Sequence, residues 1–181
     1  KIRKAAINQL FWLAQTFREH NWWQRDLSKS LAMIRAGIAE KENEDWSSPL
    51  NIFYKTGPSF TLPIDTDIEK QIHWLIKHQP DYVLTYPSNL LEIIRNLKAT
   101  KTTLPFIKGI RLIGETLYSE TRQQAHDFFN VPIADVYSSQ EVGYIALQCP
   151  DCHQYHVMAE NLIVEVLNEK NEACDVDKSG R

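Results

Sequence analysis

The middle of the chain alternates between helix-like segments and short apolar segments, and this alternation limits the fold more than any other feature of the sequence. Helical periodicity predicts three helices, and a short strand-like run follows each of them. The predicted helices cover residues 66–79, 87–97 and 119–129, and the predicted strands cover residues 82–86, 110–113 and 131–137. This order predicts a parallel sheet covered by helices, with right-handed connections.

The segment before this alternation is less regular. Apolar side chains recur at helical spacing over residues 6–20, which predicts a helix that buries Ile7, Leu10 and Phe17. Residues 31–36 indicate a buried strand, and the polar residues 40–49 an exposed loop. We assign residues 1–79 to a helix and strand/loop region.

The pattern changes again after Gly143. Three short strands are predicted at residues 144–148, 155–158 and 162–167, and their brief connections favour antiparallel pairing. The predicted fold class is therefore α/β: a parallel sheet flanked by helices, with a C-terminal antiparallel β extension. Residues 80–143 form the parallel part and residues 144–181 the β extension.

Charge and hydropathy exclude several functions. The formal net charge is −3 and no stretch gathers Lys and Arg, so the sequence does not predict binding to nucleic acid. No apolar run approaches the roughly 20 residues that span a bilayer, so we expect no membrane insertion. Three cysteines are an odd number and suit a reducing compartment, which favours a cytoplasmic location.

Polar and aromatic residues follow the predicted parallel strands. Tyr86, the pair Gly114-Glu115 and the run from Tyr137 to Glu141 each come at the carboxyl end of a strand, where open parallel sheets bind ligands. A tyrosine ring can stack on a planar ligand, and a carboxylate can hold Mg²⁺ beside phosphates. This edge therefore suits a planar aromatic ligand with an anionic tail, although ordinary polar residues at strand ends remain an alternative.

Short motifs at this edge resemble those of a known superfamily. Residues 135–141 read Asp-Val-Tyr-Ser-Ser-Gln-Glu, which resembles the adenine- and magnesium-binding motif Asn-x-Tyr-Gly-x-Thr-Glu of AMP-forming adenylate-forming enzymes. The Gly114-Glu115 turn is similar to the adenine-contacting motif that precedes it there. Residues 86–88 and 155–166 resemble the phenylacetate-CoA ligase and capsular polysaccharide biosynthesis branch of that superfamily. The resemblance covers residues 80–181 and implies that this chain is part of the large N-terminal domain of such an enzyme.

The resemblance implies roles for individual residues. Tyr137 would stack on adenine, and Asp135 would face its amino group. Glu141 would coordinate Mg²⁺ and act in catalysis. Gly114 and Glu115 would line the adenine and acyl side of the site, and residues 80–143 would be its nucleotide-binding part.

Three further positions belong to this expected site. Ser138 stands where the family has Gly, which crowds the backbone approach to the nucleotide. Gln140 stands where the family has Thr, and its amide can still donate a hydrogen bond to a phosphate. Tyr86 would border the pocket for the acyl substrate.

The implied activity is ATP-dependent activation of a carboxylic acid. The acid and ATP give an acyl-adenylate and pyrophosphate, and coenzyme A is the expected acceptor; a homodimer is left open. By resemblance, the phosphate loop is expected before Lys1, and the mobile domain with its catalytic Lys after Arg181. These segments would supply charge stabilisation in the transition state, so we expect this chain to be inactive alone.

A second motif, separate from the strand ends, predicts a metal site. Cys149 and Cys152 are spaced to share a tetrahedral Zn²⁺, with His156 as third ligand and Cys174 as a candidate fourth. The zinc would be structural. A pair of reduced thiols in a hairpin is the alternative.

Two other functions fit the same residues. A zinc-stabilised α/β module could bind a partner without catalysing a reaction. A ligase in surface polysaccharide assembly could act without coenzyme A.

Overall fold

The fold is described by a computed structural model that covers residues 6–46, 50–175 and 178. Its helices are α1 (Ala6–Trp22), α2 (Ile68–His78), α3 (Pro87–Thr100) and α4 (Ser119–Phe129), with a short 3-10 turn at Leu50–Ile52. Its strands are β1 (Leu31–Arg35), β2 (Lys41–Asn43), β3 (Ser59–Pro63), β4 (Tyr82–Thr85), β5 (Gly109–Ile113), β6 (Ile133–Ser139), β7 (Gly143–Gln148) and β8 (Tyr155–Val157).

The strands form an eight-stranded sheet in the order β2-β3-β1-β4-β5-β6-β7-β8. The five strands from β3 to β6 in this order pair in parallel, and β2, β7 and β8 pair antiparallel. The predicted α/β class, its helix-covered parallel sheet and its C-terminal antiparallel strands are confirmed.

One side of the sheet carries α2, α3 and α4, and we call it the three-helix face. Its core is continuous and apolar, because α2 and α3 turn apolar stripes to the strands and α4 adds Ala125 and two half-buried phenylalanines, Phe128 and Phe129. Leu97 of α3 and Leu112 of β5 are both fully buried there. Pro87 opens α3 at a position where no backbone N–H is lost, as the sequence predicts.

The other side carries α1, and we call it the α1 face. The predicted inward side of α1 is wrong at Ile7 and Leu10, which are 54% and 61% exposed, whereas Phe17 is half-buried and packs against the core of this face. The buried side of α1 is instead polar and consists of Gln15, Thr16, Glu19 and His20. The physical reason is that Glu19 meets buried arginines, as described below.

Two other sequence predictions need correction. The expected strand at residues 162–167 is absent; the described part of this segment has one isolated bridge, between Leu167 and Ala173. The loop expected at residues 40–49 contains β2, whose Glu42 pairs with Phe60 of β3, while residues 47–49 lie outside the described part. Among the described helices, none has both the length and the apolar character that crossing a bilayer would need.

Candidate functional site

The carboxyl ends of β4, β5 and β6 meet at one edge of the sheet. The strand register places Thr85 beside Leu112, and Ile113 beside Val136. The residues that follow, Tyr86, Gly114 and Tyr137, therefore come to neighbouring positions, as the parallel order predicts.

A cleft of about 550 Å³ lies at this edge, and we call it the Tyr137 cleft. The Tyr137 side chain is 58% exposed, so its ring faces solvent and is available for stacking. The cleft brings together five of the six predicted nucleotide-binding residues, together with four residues that were not predicted to belong to the site. It is lined by Gly114, Glu115, Thr116, Leu117, Asp135, Val136, Tyr137, Ser138 and Tyr155.

Asp135 is the buried polar group of the Tyr137 cleft. The Tyr155 hydroxyl donates a hydrogen bond to Asp135 Oδ2, whereas Oδ1 has no hydrogen-bond partner among the described residues. Burial raises the pKa of the Asp135 carboxyl above its usual range, and burial likewise raises the pKa of Tyr155. Asp135 Oδ1 is therefore an unsatisfied acceptor beside an exposed aromatic ring. The sequence places Tyr155 in a strand and in the segment that resembles the ligase branch, but it does not indicate contact with Asp135, because that contact depends on β7 lying between β6 and β8.

Glu115 joins the end of β5 to the start of α3. Its carboxylate accepts hydrogen bonds from the Ser88 backbone N–H at 2.9 Å and from Ser88 Oγ at 2.8 Å. Ser88 lies in the first turn of α3, where unpaired N–H groups and the helix dipole favour an anion. Glu115 therefore lines the cleft while its charge is directed to the helix terminus.

The predicted residues 138–141 separate in the structure. Ser138 lines the Tyr137 cleft, and the register of β6 with β7 shifts between Tyr137 and Ser138. Gln140 and Glu141 are exposed in the turn between these strands. Glu141 is not among the described residues that line the cleft.

A second cavity, of about 680 Å³, lies on the α1 face, and we call it the α1 cavity. Tyr86, Gly114, Ser138 and Gln140 are among its lining residues, so it adjoins the Tyr137 cleft. Gly114 has a φ of +76°, and a Cβ there would lie 2.7 Å from Tyr86 Cε1. The close packing of the Tyr86 ring thus requires glycine at position 114.

A cluster of buried charges lies beside the α1 cavity, and its arginines, Arg25 and Arg111, line the cavity. Glu19 Oε1 is 2.6 Å from Arg25 Nη1, and Glu19 Oε2 is 3.0 Å from Arg111 Nε. Burial alone would raise the pKa of Glu19, but the two guanidinium groups hold it at about 2. Burial also lowers the pKa of His20 to about 3, so its ring is neutral at neutral pH.

No motif in the sequence predicted this charge cluster. The signal was Arg111, which interrupts the apolar strand Ile110-Arg111-Leu112-Ile113. An arginine on a buried strand predicts a nearby carboxylate, because an unpaired buried charge is costly. The sequence does not reveal that the carboxylate is Glu19, since the two residues are far apart in the chain.

The predicted zinc ligands are partly assembled. The ligand atoms of Cys149, Cys152 and His156 lie within 4.8 Å of one another, a donor set that suits tetrahedral Zn²⁺. Hydrogen bonds from the Cys152 and Asp151 backbone N–H groups lower the pKa of Cys149, which favours the metal-binding thiolate. Cys174 is not part of this cluster. His156 rather than His153 lies with the thiols.

Comparison with solved structures shows where this architecture recurs. No protein-family model matches the chain, and no curated protein matches it. The chain superposes on 2-hydroxyisobutyryl-CoA ligase with a TM-score of 0.69 and 11% identity, over 92% of this chain and 38% of the ligase. This chain has the fold of that ligase.

Two further ligases have the same architecture. A benzoate-CoA ligase from Burkholderia xenovorans LB400 superposes with a TM-score of 0.64 and 16% identity, over 95% of this chain and 35% of the ligase. A long-chain-fatty-acid-CoA ligase from Archaeoglobus fulgidus gives a TM-score of 0.59 at 11% identity, over 97% and 36%. The chain thus spans little more than a third of the length of these ligases.

Proposed function

We propose that the chain forms the nucleotide- and acyl-binding part of an ATP-dependent, AMP-forming ligase. The observation that carries this proposal is the Tyr137 cleft, which combines an exposed ring with the unsatisfied Asp135 Oδ1. A base stacked on Tyr137 could donate its amino N–H to Asp135. The 2-hydroxyisobutyryl-CoA ligase of the same fold was solved with the acyl-adenylate 2-HIB-AMP and coenzyme A, which supports this choice of ligand.

The proposal gives each strand-end residue a task. Gly114 and Glu115 border the adenine, and the Gln140 amide donates to a phosphate. Glu141, exposed in the turn, holds Mg²⁺ with the phosphates and would thereby offset their charge. Ser138 lies where nucleotide and acyl group meet.

The carboxylic acid occupies the α1 cavity, bordered by Tyr86. Attack of its carboxylate on the α-phosphorus of ATP forms the acyl-adenylate and releases pyrophosphate. Coenzyme A is the proposed acceptor, as in the phenylacetate-CoA ligase branch. ATP–pyrophosphate exchange by a full-length ligase that contains this chain, with a panel of aryl and fatty acids, tests the reaction.

Calorimetric titration with AMP tests the nucleotide site directly. Tyr137→Ala removes the stacking ring and is expected to weaken AMP binding by roughly 1–3 kcal/mol, or about 5- to 150-fold. Tyr137→Phe keeps the ring and should bind like the parent. Tyr118→Ala removes an exposed tyrosine outside the cleft and is the matched control. Equal affinity of the Tyr137→Ala and parent proteins would contradict the proposal.

The cysteine cluster favours a second element of the proposal, a structural zinc. Purified protein is expected to contain zinc in an equimolar amount, and Cys149→Ser should lose it. Cys174→Ser tests the predicted fourth ligand by the same measurement. Stoichiometric zinc together with no AMP binding would favour the alternative function, a zinc-stabilised binding module.

A further inference from the structure

The α1 cavity has an uneven charge distribution. Its described lining residues include four cationic side chains and no Asp or Glu. Arg35 and Lys41 are exposed, so water can solvate them. Arg25 and Arg111 are not, with side chains only 7% and 15% accessible. The inference therefore depends on these two buried guanidinium groups.

The buried groups carry a surplus positive charge. Within the described residues, Glu19 is the one carboxylate in salt-bridge contact with Arg25 or Arg111, and it contacts both. The other partner of Arg111 is neutral, since Arg111 Nη2 donates to the Tyr144 hydroxyl at 2.7 Å. His20 Nδ1, 3.2 Å from Arg25 Nη1, adds no positive charge because its ring is neutral. Two guanidinium groups thus share one carboxylate.

A ligand can compensate this surplus. A buried charge without a counterion is costly, and an anion brought to it gains a charge-assisted hydrogen bond. Most of the remaining lining is aromatic or aliphatic, so it suits an apolar body rather than a small free ion. This apolar lining includes Trp12, Trp46, Tyr82, Leu84, Ile113 and Tyr144.

We propose that the α1 cavity selects a carboxylic acid with a second anionic group, remote from the reacting carboxylate, and that Arg111 binds this second group. This inference rests on the proposed function, which places the reacting carboxylate beside Gly114 and Ser138. An aromatic dicarboxylate satisfies both ends of the cavity. A simple aryl or fatty acid fills the apolar part and leaves the arginine charge uncompensated.

Titration of the chain with isophthalate and benzoate tests the inference, because these acids differ only in the second carboxylate. Isophthalate is expected to bind more tightly. Arg111→Met should lower the ratio of isophthalate affinity to benzoate affinity by roughly 10- to 100-fold, which corresponds to the loss of one hydrogen bond to a charged group. Arg111→Lys keeps the charge and should retain part of the preference. Arg95→Met, an exposed arginine on α3, is the matched control.

The outcomes separate the two proposals. Equal binding of isophthalate and benzoate by the parent chain overturns the inference, as does an unchanged preference in Arg111→Met. If Arg111→Met does not fold, as judged by circular dichroism, the parent and Arg111→Lys titrations decide. AMP titration on the same samples reports on the proposed function alone. Normal AMP binding without a dicarboxylate preference refutes the inference only, and dicarboxylate preference without AMP binding refutes the substrate assignment together with the function.

Discussion

The two faces of the sheet are stabilised in different ways. The three-helix face buries a continuous apolar core, and the polar groups inside it are neutral and hydrogen-bonded, as where Asn89 Nδ2 donates to Gln71 Oε1 at 2.9 Å. The α1 face buries Glu19 between Arg25 and Arg111 beside an open cavity. The difference teaches that one sheet can separate the groups that stabilise the fold from the groups that are poised for a ligand.

The largest expected effect concerns the buried charges of the α1 face. Glu19→Gln leaves two buried guanidinium groups without a carboxylate and should lower the free energy of unfolding by about 3–5 kcal/mol. Urea denaturation measures this. The same substitution at Glu160, which pairs with Arg18 near the surface, should cost less than about 1 kcal/mol. Similar losses at both positions would show that the buried charges do not organise the α1 face.

Substitutions in the core of the three-helix face should destabilise the protein through loss of packing. Leu97 is fully buried, so Leu97→Ala is expected to cost about 2–5 kcal/mol by leaving a cavity. Ile76 on α2 is 39% exposed, and Ile76→Ala should cost less. The comparison of the faces would fail if the two substitutions destabilised the protein equally in urea.

Acid should destabilise the protein through the α1 face. The folded pKa of His20 is lowered to about 3, so its stabilising contribution is present above its unfolded pKa of 6.5 and is lost as the pH falls. Glu19, with a folded pKa of about 2, lowers the free energy of unfolding further as the pH falls below its unfolded pKa of 4.5. In its own pH range, each group lowers the free energy of unfolding by up to about 1.4 kcal/mol for each pH unit.

His20→Asn isolates the histidine part of this effect. It should flatten the dependence of unfolding free energy on pH between about 6.5 and 4.5, measured by urea denaturation at several pH values. An unchanged slope in His20→Asn would mean that His20 is not buried in its neutral form.

The smallest effect concerns the edge where the faces meet. Gly37 and Gly114 both have positive φ, so alanine at either position should cost about 1–2 kcal/mol. A Cβ meets nothing within 4 Å at Gly37 but meets the Tyr86 ring at Gly114. Gly114→Ala should therefore lower the free energy of unfolding by about 1 kcal/mol or more beyond the loss in Gly37→Ala, as measured by thermal or urea denaturation. Equal costs would mean that the Tyr86 ring moves freely.

The sequence predicted the features that depend on local signals. Pro87 and the Gly114 turn marked the ends of strands, and parallel order then brought Tyr86, Gly114 and Tyr137 to one edge. Prediction from the sequence failed where contacts join segments that are distant in the chain. The side of α1 that is buried depends on Arg111, and the acceptor geometry at Asp135 depends on Tyr155. Helical periodicity on α1 favoured the apolar stripe because periodicity carries no information about a charge on another strand.

Three residues, Gly114, Val136 and Ser138, line both the Tyr137 cleft and the α1 cavity. They form a thin partition made mostly of backbone, because two of them have little or no side chain. Two molecules held on opposite sides of it would be brought together at a distance set by β5 and β6 rather than by mobile side chains. Either compartment could therefore change its lining, and so its ligand, while the separation of the reacting groups stayed constant.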